Sequence, residues 1–163
     1  YQQGAYATAQ DLGISPKEAQ AFIDKYFSRY PKVKDFLSGT IDDAKNNHYV
    51  STLWGRKRYF KNLNDRNANI RRSDERAACN APIQGSAADL IKLAMIELDK
   101  KLSQSNLKAK LILQVHDELV LEVPDDELEE TKAMVVKAME LDQPLSVPLK
   151  VDCGVGKNWM DTK

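Results

Sequence analysis

The chain has 163 residues, 42% of them hydrophobic, and it carries 24 acidic and 24 basic side chains. That length and composition suit one globular domain or one lobe of a larger one. The zero net charge argues against a simple basic nucleic-acid binder. No apolar run approaches the ~20 residues that a membrane-spanning helix needs, and no signal peptide is recognisable. Because the chain begins at Tyr1 without an initiator Met, we expect a fragment or a processed chain.

Charge is segregated along the chain. Residues 56–76 contain eight Lys or Arg and three acids, whereas residues 117–130 contain eight acids and no base. The first segment could meet phosphates, and the second could hold a metal or only face water. The isolated Cys79 and Cys153 show no metal-type spacing, which favours reduced, mostly buried thiols in a cytosolic protein.

Two helices are predicted before residue 47. Ser15 can cap the first one, Pro16 suits its first turn, and Glu18 completes a capping box. Pro31 ends that helix or begins the next one, which we place over residues 32–46. Each helix carries an apolar stripe, for which core packing is the simplest interpretation: Ala19, Phe22, Ile23, Tyr26 and Phe27 in the first, and Val33, Phe36, Leu37 and Ile41 in the second.

A hairpin and a long helical segment follow. Short β-prone runs at residues 49–53 and 57–60 flank a Trp-Gly-Arg turn, and the polar stretch 61–69 predicts an exposed loop. A helical pattern then runs from about Asn69 to Ser103. Pro82 interrupts it, so we expect two helices or one sharp kink, because an interior proline removes a hydrogen bond and clashes with the preceding turn.

The second half of the chain has the pattern of a small sheet. Apolar residues alternate along both halves of 109–123, which predicts a tight hairpin around residues 116–117. Residues 124–141 predict a helix with acids in its first turn. Alternation returns over residues 147–155 and predicts a third, C-terminal strand. We therefore predict an α+β fold, a small antiparallel sheet packed against several helices.

The tip of the second hairpin is the most informative position. A carboxylate held near a buried sheet is costly unless it is paired or binds a metal. Asp117 at a strand end would suit Mg²⁺, which prefers carboxylates together with substrate phosphates. Asp is also common in turns, and spacing alone favours that plain interpretation.

Arg76, Asn80 and Gln84 are four residues apart and share a helix face if the helix persists to Pro82. Their donors suit phosphates and the minor-groove acceptors that differ little between base pairs. A solvated helix face is the alternative. The basic run 56–58 could add phosphate contacts, although an exposed charged hairpin explains it equally well.

Two long motifs and several shorter segments occur in a characteristic order. Residues 114–119, Gln-Val-His-Asp-Glu-Leu, resemble the third catalytic motif of family A (DNA polymerase I-like) DNA polymerases. Residues 76–89, from Arg76 through Pro82 to Asp89, resemble the segment just before it. Residues 49–58, 18–31 and 154–159 also fit, so the similarity covers essentially the whole chain. Two long motifs at consistent separation form a specific signal.

The resemblance implies a C-terminal fragment of the polymerase domain. A fingers-like helical part would span residues 1–75, and a palm-like part would span residues 76–163. Asp117 would ligate two catalytic magnesium ions, which activate the primer 3′-hydroxyl and stabilise the transferred phosphoryl group. Glu118 would support that site. His116 would lie near the primer end, with a hydrogen-bonded structural histidine as the alternative.

The resemblance also implies partners: primer–template DNA, a dNTP and the upstream remainder of the polymerase. It places Arg76, Asn80 and Gln84 against the duplex, with Arg56 and Arg58 as further DNA contacts. The expected activity is template-directed DNA synthesis in replication or repair, in the cytoplasm at the nucleoid, with an organellar or viral source left open.

Two features depart from the complete family pattern. Tyr1 matches the tyrosine that ends the family's nucleotide-binding helix, beside the templating base, but Gln2 and Gln3 follow where the family usually has glycine. The family's first catalytic motif, with the second metal-binding aspartate, is not found in the sequence. We therefore predict that this chain alone does not polymerise DNA.

Two other functional classes compete with this interpretation. One is a non-catalytic DNA-binding or accessory protein derived from a polymerase. The other is a metal phosphohydrolase that uses the His116–Asp117 pair. Such hydrolase sites normally gather several histidines, whereas this chain has only His48 and His116, so the hydrolase ranks low.

Overall fold

The computed structural model describes residues 4–140 and 145–162. Helices and two small antiparallel sheets alternate along the chain, which confirms the predicted α+β class. No helix in these residues is long and apolar enough to cross a bilayer. The elements are α1 (Ala5–Leu12), α2 (Pro16–Arg29), α3 (Pro31–Asn47), β1 (Tyr49–Ser51), β2 (Lys57–Tyr59), α4 (Ala68–Gln104), β3 (Lys110–Val115), β4 (Glu118–Glu122) and α5 (Leu128–Glu140), with 3₁₀ turns at Asp125–Glu127 and Trp159–Thr162.

The chain divides into two compact units between Ser86 and Ala87. Each unit has its own cluster of buried apolar residues. The division into a fingers-like part over residues 1–75 and a palm-like part over residues 76–163 stays a prediction.

The predicted capping box at the start of α2 is confirmed. The Glu18 amide donates to Ser15 Oγ at 3.3 Å, and the Ser15 amide donates to Glu18 Oε2 at 2.9 Å. The Ser15 hydroxyl also donates to Glu18 Oε2 at 2.7 Å. These bonds from Ser15 favour the ionised carboxylate, so they lower the pKa of Glu18 below its usual 4.5.

The prediction that the apolar stripes of α2 and α3 pack in the core is only partly confirmed. Ala19 is fully buried, and Leu37 is half-buried, but Phe22 is 60% exposed and Tyr26 and Phe36 are also exposed. Phe22 and Tyr26 line an open groove of about 450 Å³, whose other lining residues come mainly from α2 and α3. Periodicity identifies the apolar side of a helix, but it does not show how completely a neighbour covers that side.

The first unit is organised around the β1–β2 hairpin and the N-terminal half of α4. Tyr49 pairs with Tyr59 and Ser51 with Lys57, as the predicted hairpin requires. Gly55 occupies the turn at a φ of 79°, a left-handed conformation that suits glycine. The buried side of the hairpin meets small residues of α4, and the cluster comprises Ala44, Val50, Phe60, Leu63, Ala78 and Ala81.

Pro82 lies inside α4, which continues as one helix from Ala68 to Gln104. The alternative of two separate helices is therefore wrong. Proline costs the helix one backbone hydrogen bond, but Ala78 and Ala81 beside it are buried in the cluster of the first unit. We infer that tertiary packing compensates for the lost bond.

The predicted second hairpin, β3–β4, is confirmed, with one irregularity. Leu111 pairs with Leu121, but Leu113 pairs with Val120, so Ile112 is an extra residue without a partner in β4. Such a β-bulge reverses the side to which the following residues point. Leu111, Leu119 and Leu121 pack on the core with Leu98, Val135 and Ala138, whereas Leu113 is exposed.

The predicted C-terminal strand is wrong. Residues 145–162 contain no strand, and the segment ends in a short 3₁₀ turn. Val147 and Val155 are exposed. An alternating pattern indicates which face a strand would bury, but it does not supply the hydrogen-bonding partner that a strand requires. The predicted helix before it forms as α5, preceded by one 3₁₀ turn, and its predicted end at residue 141 lies outside the described residues.

Candidate functional site

His116 and Asp117 form the two-residue turn that joins β3 to β4, and both side chains are exposed. His116 has a φ of 53°, the left-handed conformation, whereas Asp117 does not. This pattern excludes a type I′ turn, which needs positive φ at both positions. Glu118 begins β4 opposite Val115 and is also exposed. The hairpin therefore presents two consecutive carboxylates at its tip.

Gln114 holds the turn in shape. Its side-chain amide donates to the His116 carbonyl at 2.6 Å, which satisfies a backbone acceptor in a residue of unfavourable φ. Sequence reasoning placed Gln114 in the motif but assigned it no role. The signal that could have found it is a polar residue two positions before a tight turn, where its side chain can reach turn backbone.

The part of the chain that the structure describes contains no complete metal site. Within the described residues, no three His, Cys, Asp or Glu side chains lie close enough together to hold a metal ion. Mg²⁺ in phosphoryl-transfer sites commonly takes one or two carboxylates and completes its shell with water and substrate phosphates. The exposed Asp117 carboxylate is suited to be one such ligand, and Glu118 is the next residue in the chain.

The second group of candidate residues lies on α4. Arg76, Asn80 and Gln84 share a face because the helix is continuous from residue 76 to residue 84. Arg76 and Gln84 are exposed, and Asn80 is half-buried. The Asn80 Oδ1 atom is buried without a hydrogen-bond partner in the structure. This face therefore offers a guanidinium and two amides along about two helical turns.

The basic residues of the first hairpin are held by specific contacts. The Arg56 guanidinium donates to the Gly85 carbonyl at 2.9 Å. The Lys57 ammonium lies 4.2 Å from the centre of the Tyr49 ring, and the Arg58 guanidinium carbon lies 5.3 Å from that of Phe60. Both distances are in the range of cation–π attraction. All three residues are exposed.

The candidate residues are divided between the two units. Arg56, Arg58 and the α4 face belong to the first unit, and the His116–Glu118 tip belongs to the second. The remaining candidate, Tyr1, lies outside the described residues.

Comparison with known proteins identifies the family. The model of DNA polymerase family A matches residues 1–161. The chain belongs to DNA polymerase family A. It is 52% identical over 158 residues to DNA polymerase I of Caldicellulosiruptor bescii and 48% identical over 163 residues to the thermostable DNA polymerase I of Thermus filiformis. These matches cover 97% and 100% of this chain but 19% of each relative.

A solved structure of the same family is also similar. The chain matches the POL domain of Pol1 from M. smegmatis, described in complex with DNA primer-template and dNTP, with a TM-score of 0.94 and 44% identity. The match covers 98% of this chain and 28% of that one. The resemblance drawn from the motifs is thus confirmed. The chain spans about a fifth of the length of its curated relatives.

Proposed function

We propose that this chain is the part of a DNA polymerase I-like enzyme that binds primer–template duplex and contributes one carboxylate to the catalytic centre. The reaction is template-directed nucleotidyl transfer from a dNTP to a primer 3′-hydroxyl. The observation that carries the proposal is Asp117, exposed at the tip of the β3–β4 hairpin in a chain of DNA polymerase family A.

The catalytic half of the proposal concerns the hairpin tip. Asp117 would be one ligand of the magnesium site, and the rest of the ligand set would come from outside this chain. Two Mg²⁺ ions, when bound, would lower the pKa of the 3′-hydroxyl and stabilise the charge on the transferred phosphoryl group. Glu118 would add negative charge beside that site. His116 would position the turn near the primer end.

The binding half of the proposal concerns α4. A polymerase must bind its product whatever the sequence, and the minor-groove acceptors of purine N3 and pyrimidine O2 recur in all base pairs. The Gln84 and Asn80 amides supply matching donors, and the Arg76 guanidinium can also bind phosphate.

A duplex-binding experiment tests this half. Arg76→Ala should weaken the binding of a short DNA duplex by this chain about tenfold and reduce the salt dependence of log K by about one unit. Fluorescence anisotropy titrations at salt concentrations between about 50 and 200 mM measure both the affinity and its salt dependence. Lys25→Ala, the same change of charge on the exposed side of α2, is the matched control. Equal weakening by both variants would show a non-specific charge effect and contradict the assignment.

A non-catalytic DNA-binding role is the second candidate. It is favoured by the lack of a complete metal site within the described residues. Both candidates predict that this chain alone does not extend a primer with Mg²⁺ and dNTPs. They differ once the missing ligands are supplied, because only the catalytic role predicts a requirement for Asp117.

A further inference from the structure

The turn of the β1–β2 hairpin is tied to α4 by two long-range hydrogen bonds. The Leu53 amide donates to Ser86 Oγ at 2.9 Å, and the Arg56 guanidinium donates to the Gly85 carbonyl at 2.9 Å. Ser86 is only 7% exposed, so its hydroxyl is committed to the hairpin rather than to solvent. The two bonds hold both ends of the turn against one point of the helix.

Gly85 is required at this point for space. A Cβ atom built on Gly85 would lie 2.6 Å from Thr52 Cγ2, far inside van der Waals contact. Thr52 is fixed in place, because its amide donates to the Arg56 carbonyl at 3.0 Å and its hydroxyl accepts from the Arg56 amide at 3.2 Å. The hairpin can therefore approach the helix this closely only where the helix has no side chain.

A basic cleft lies where the hairpin meets the helix. Its volume is about 100 Å³, and it is lined by Arg56, Lys57 and Arg58 from the hairpin and by Gln84 from α4. The described residues that line it include no acid. A cleft of this chemistry attracts an anion such as a backbone phosphate, which accepts hydrogen bonds from both guanidinium and amide groups.

We propose that Thr52, Gly85 and Ser86 form a latch that positions the basic strand of the hairpin beside Gln84, so that both contact the phosphate backbone of bound DNA. This proposal rests on the proposed function. Strands of three residues make a hairpin that is marginally stable by itself. Docking through the latch fixes its basic side chains before DNA arrives, and such preorganisation lowers the entropic cost of binding.

Two glycine-to-alanine substitutions distinguish the effect of the latch on duplex binding from the effect of a change in helix propensity. Gly85→Ala introduces the clash with Thr52, whereas Gly39→Ala in α3 meets nothing within 4 Å. Gly85→Ala should weaken duplex binding by about tenfold, the size expected when one charge-assisted hydrogen bond is removed. The salt slope should fall by about one for each phosphate that the variant no longer binds. Gly39→Ala should bind duplex as the unmodified chain does.

A rescue variant tests the cause of that weakening. Thr52→Ser removes Cγ2 and keeps the hydroxyl, so the double variant Thr52→Ser/Gly85→Ala should recover both affinity and salt slope. If Gly85→Ala does not fold by circular dichroism, Ser86→Ala carries the test. It should accelerate hydrogen exchange of the Leu53 amide and weaken duplex binding together.

The outcomes distinguish this proposal from the one on which it rests. If the unmodified chain does not bind duplex DNA, the proposed function fails, and the positioning role fails with it. If the chain binds duplex and a folded Gly85→Ala variant binds equally well, the latch alone is overturned. A folded double variant that stays as weak as Gly85→Ala also overturns it, because the weaker binding would then have another cause.

Discussion

Asp117 depends on the residue before it for its position. The left-handed φ of His116 makes a two-residue turn possible, and the Gln114 side chain binds the carbonyl of that turn. The carboxylate is therefore carried on a two-residue turn whose backbone is held by a side-chain hydrogen bond. The motif was sufficient to find Asp117 from sequence. The hydrogen bond of Gln114 was not predictable, because it depends on turn geometry that spacing does not specify.

The left-handed residue at the tip gives a test of this local account. His116→Val should lower the free energy of unfolding by about 1 kcal/mol or more, because a β-branched side chain is strained at positive φ. His116→Gly should not lower the free energy of unfolding, because glycine adopts a positive φ without steric strain. Urea unfolding followed by circular dichroism compares the two variants. His48, at a φ of 62°, provides a matched position elsewhere, and equal stability of the Val and Gly variants at 116 would contradict the account.

At the scale of elements, periodicity predicted the positions of the helices and hairpins more accurately than the pairing and packing between them. Helices α2, α3 and α5 and both hairpins lie close to their predicted places. The bulge at Ile112 was missed because it leaves the apolar composition of β3 unchanged while reversing part of the strand. The C-terminal strand failed for a related reason, since residues 147–155 have the alternation of a strand without a pairing partner in the described residues.

The capping box at the start of α2, which the sequence predicted, makes the stability of this helix end depend on pH. Bonds from Ser15 lower the pKa of Glu18 in the folded chain. A lowered folded pKa means that the stabilisation is complete above the ordinary value of 4.5 and is lost as the pH falls through the folded pKa. An NMR titration should therefore show the Ser15 amide resonance shifting with a midpoint below 4.5.

A substitution at the same position provides the control. Glu18→Gln keeps a side-chain acceptor for the capping box but cannot titrate, so the acid shift of the Ser15 amide should disappear. A midpoint at or above 4.5 in the unmodified chain would contradict the lowered pKa.

At the scale of the whole molecule, the candidate functions are distributed over both units. The proposed duplex-binding face of α4 and the basic hairpin lie in the first unit, and the carboxylate tip lies in the second. Sequence motifs located both groups, because each motif is local. The ligands that would complete the metal site could not be inferred from this chain, which spans about a fifth of its relatives.

The proposed catalytic role can be tested in a complete polymerase. The matching segment of the Thermus filiformis DNA polymerase I, 48% identical over 163 residues, can be replaced by this chain. The chimaera should extend a primer on a template with Mg²⁺ and dNTPs. Asp126→Asn, an exposed aspartate in the 3₁₀ turn before α5, is the matched control and should leave extension unchanged.

The decisive measurement is primer extension by the Asp117→Asn chimaera under single-turnover conditions. Loss of an outer partner of a metal site typically costs about 10–100-fold, so loss of a direct ligand should slow extension by more than about 100-fold. The duplex affinity of this variant should stay within roughly threefold of that of the unmodified chimaera, because the substitution does not change the α4 face. Extension by Asp117→Asn at the rate of the unmodified chimaera would contradict the central claim that Asp117 is a ligand of the catalytic centre.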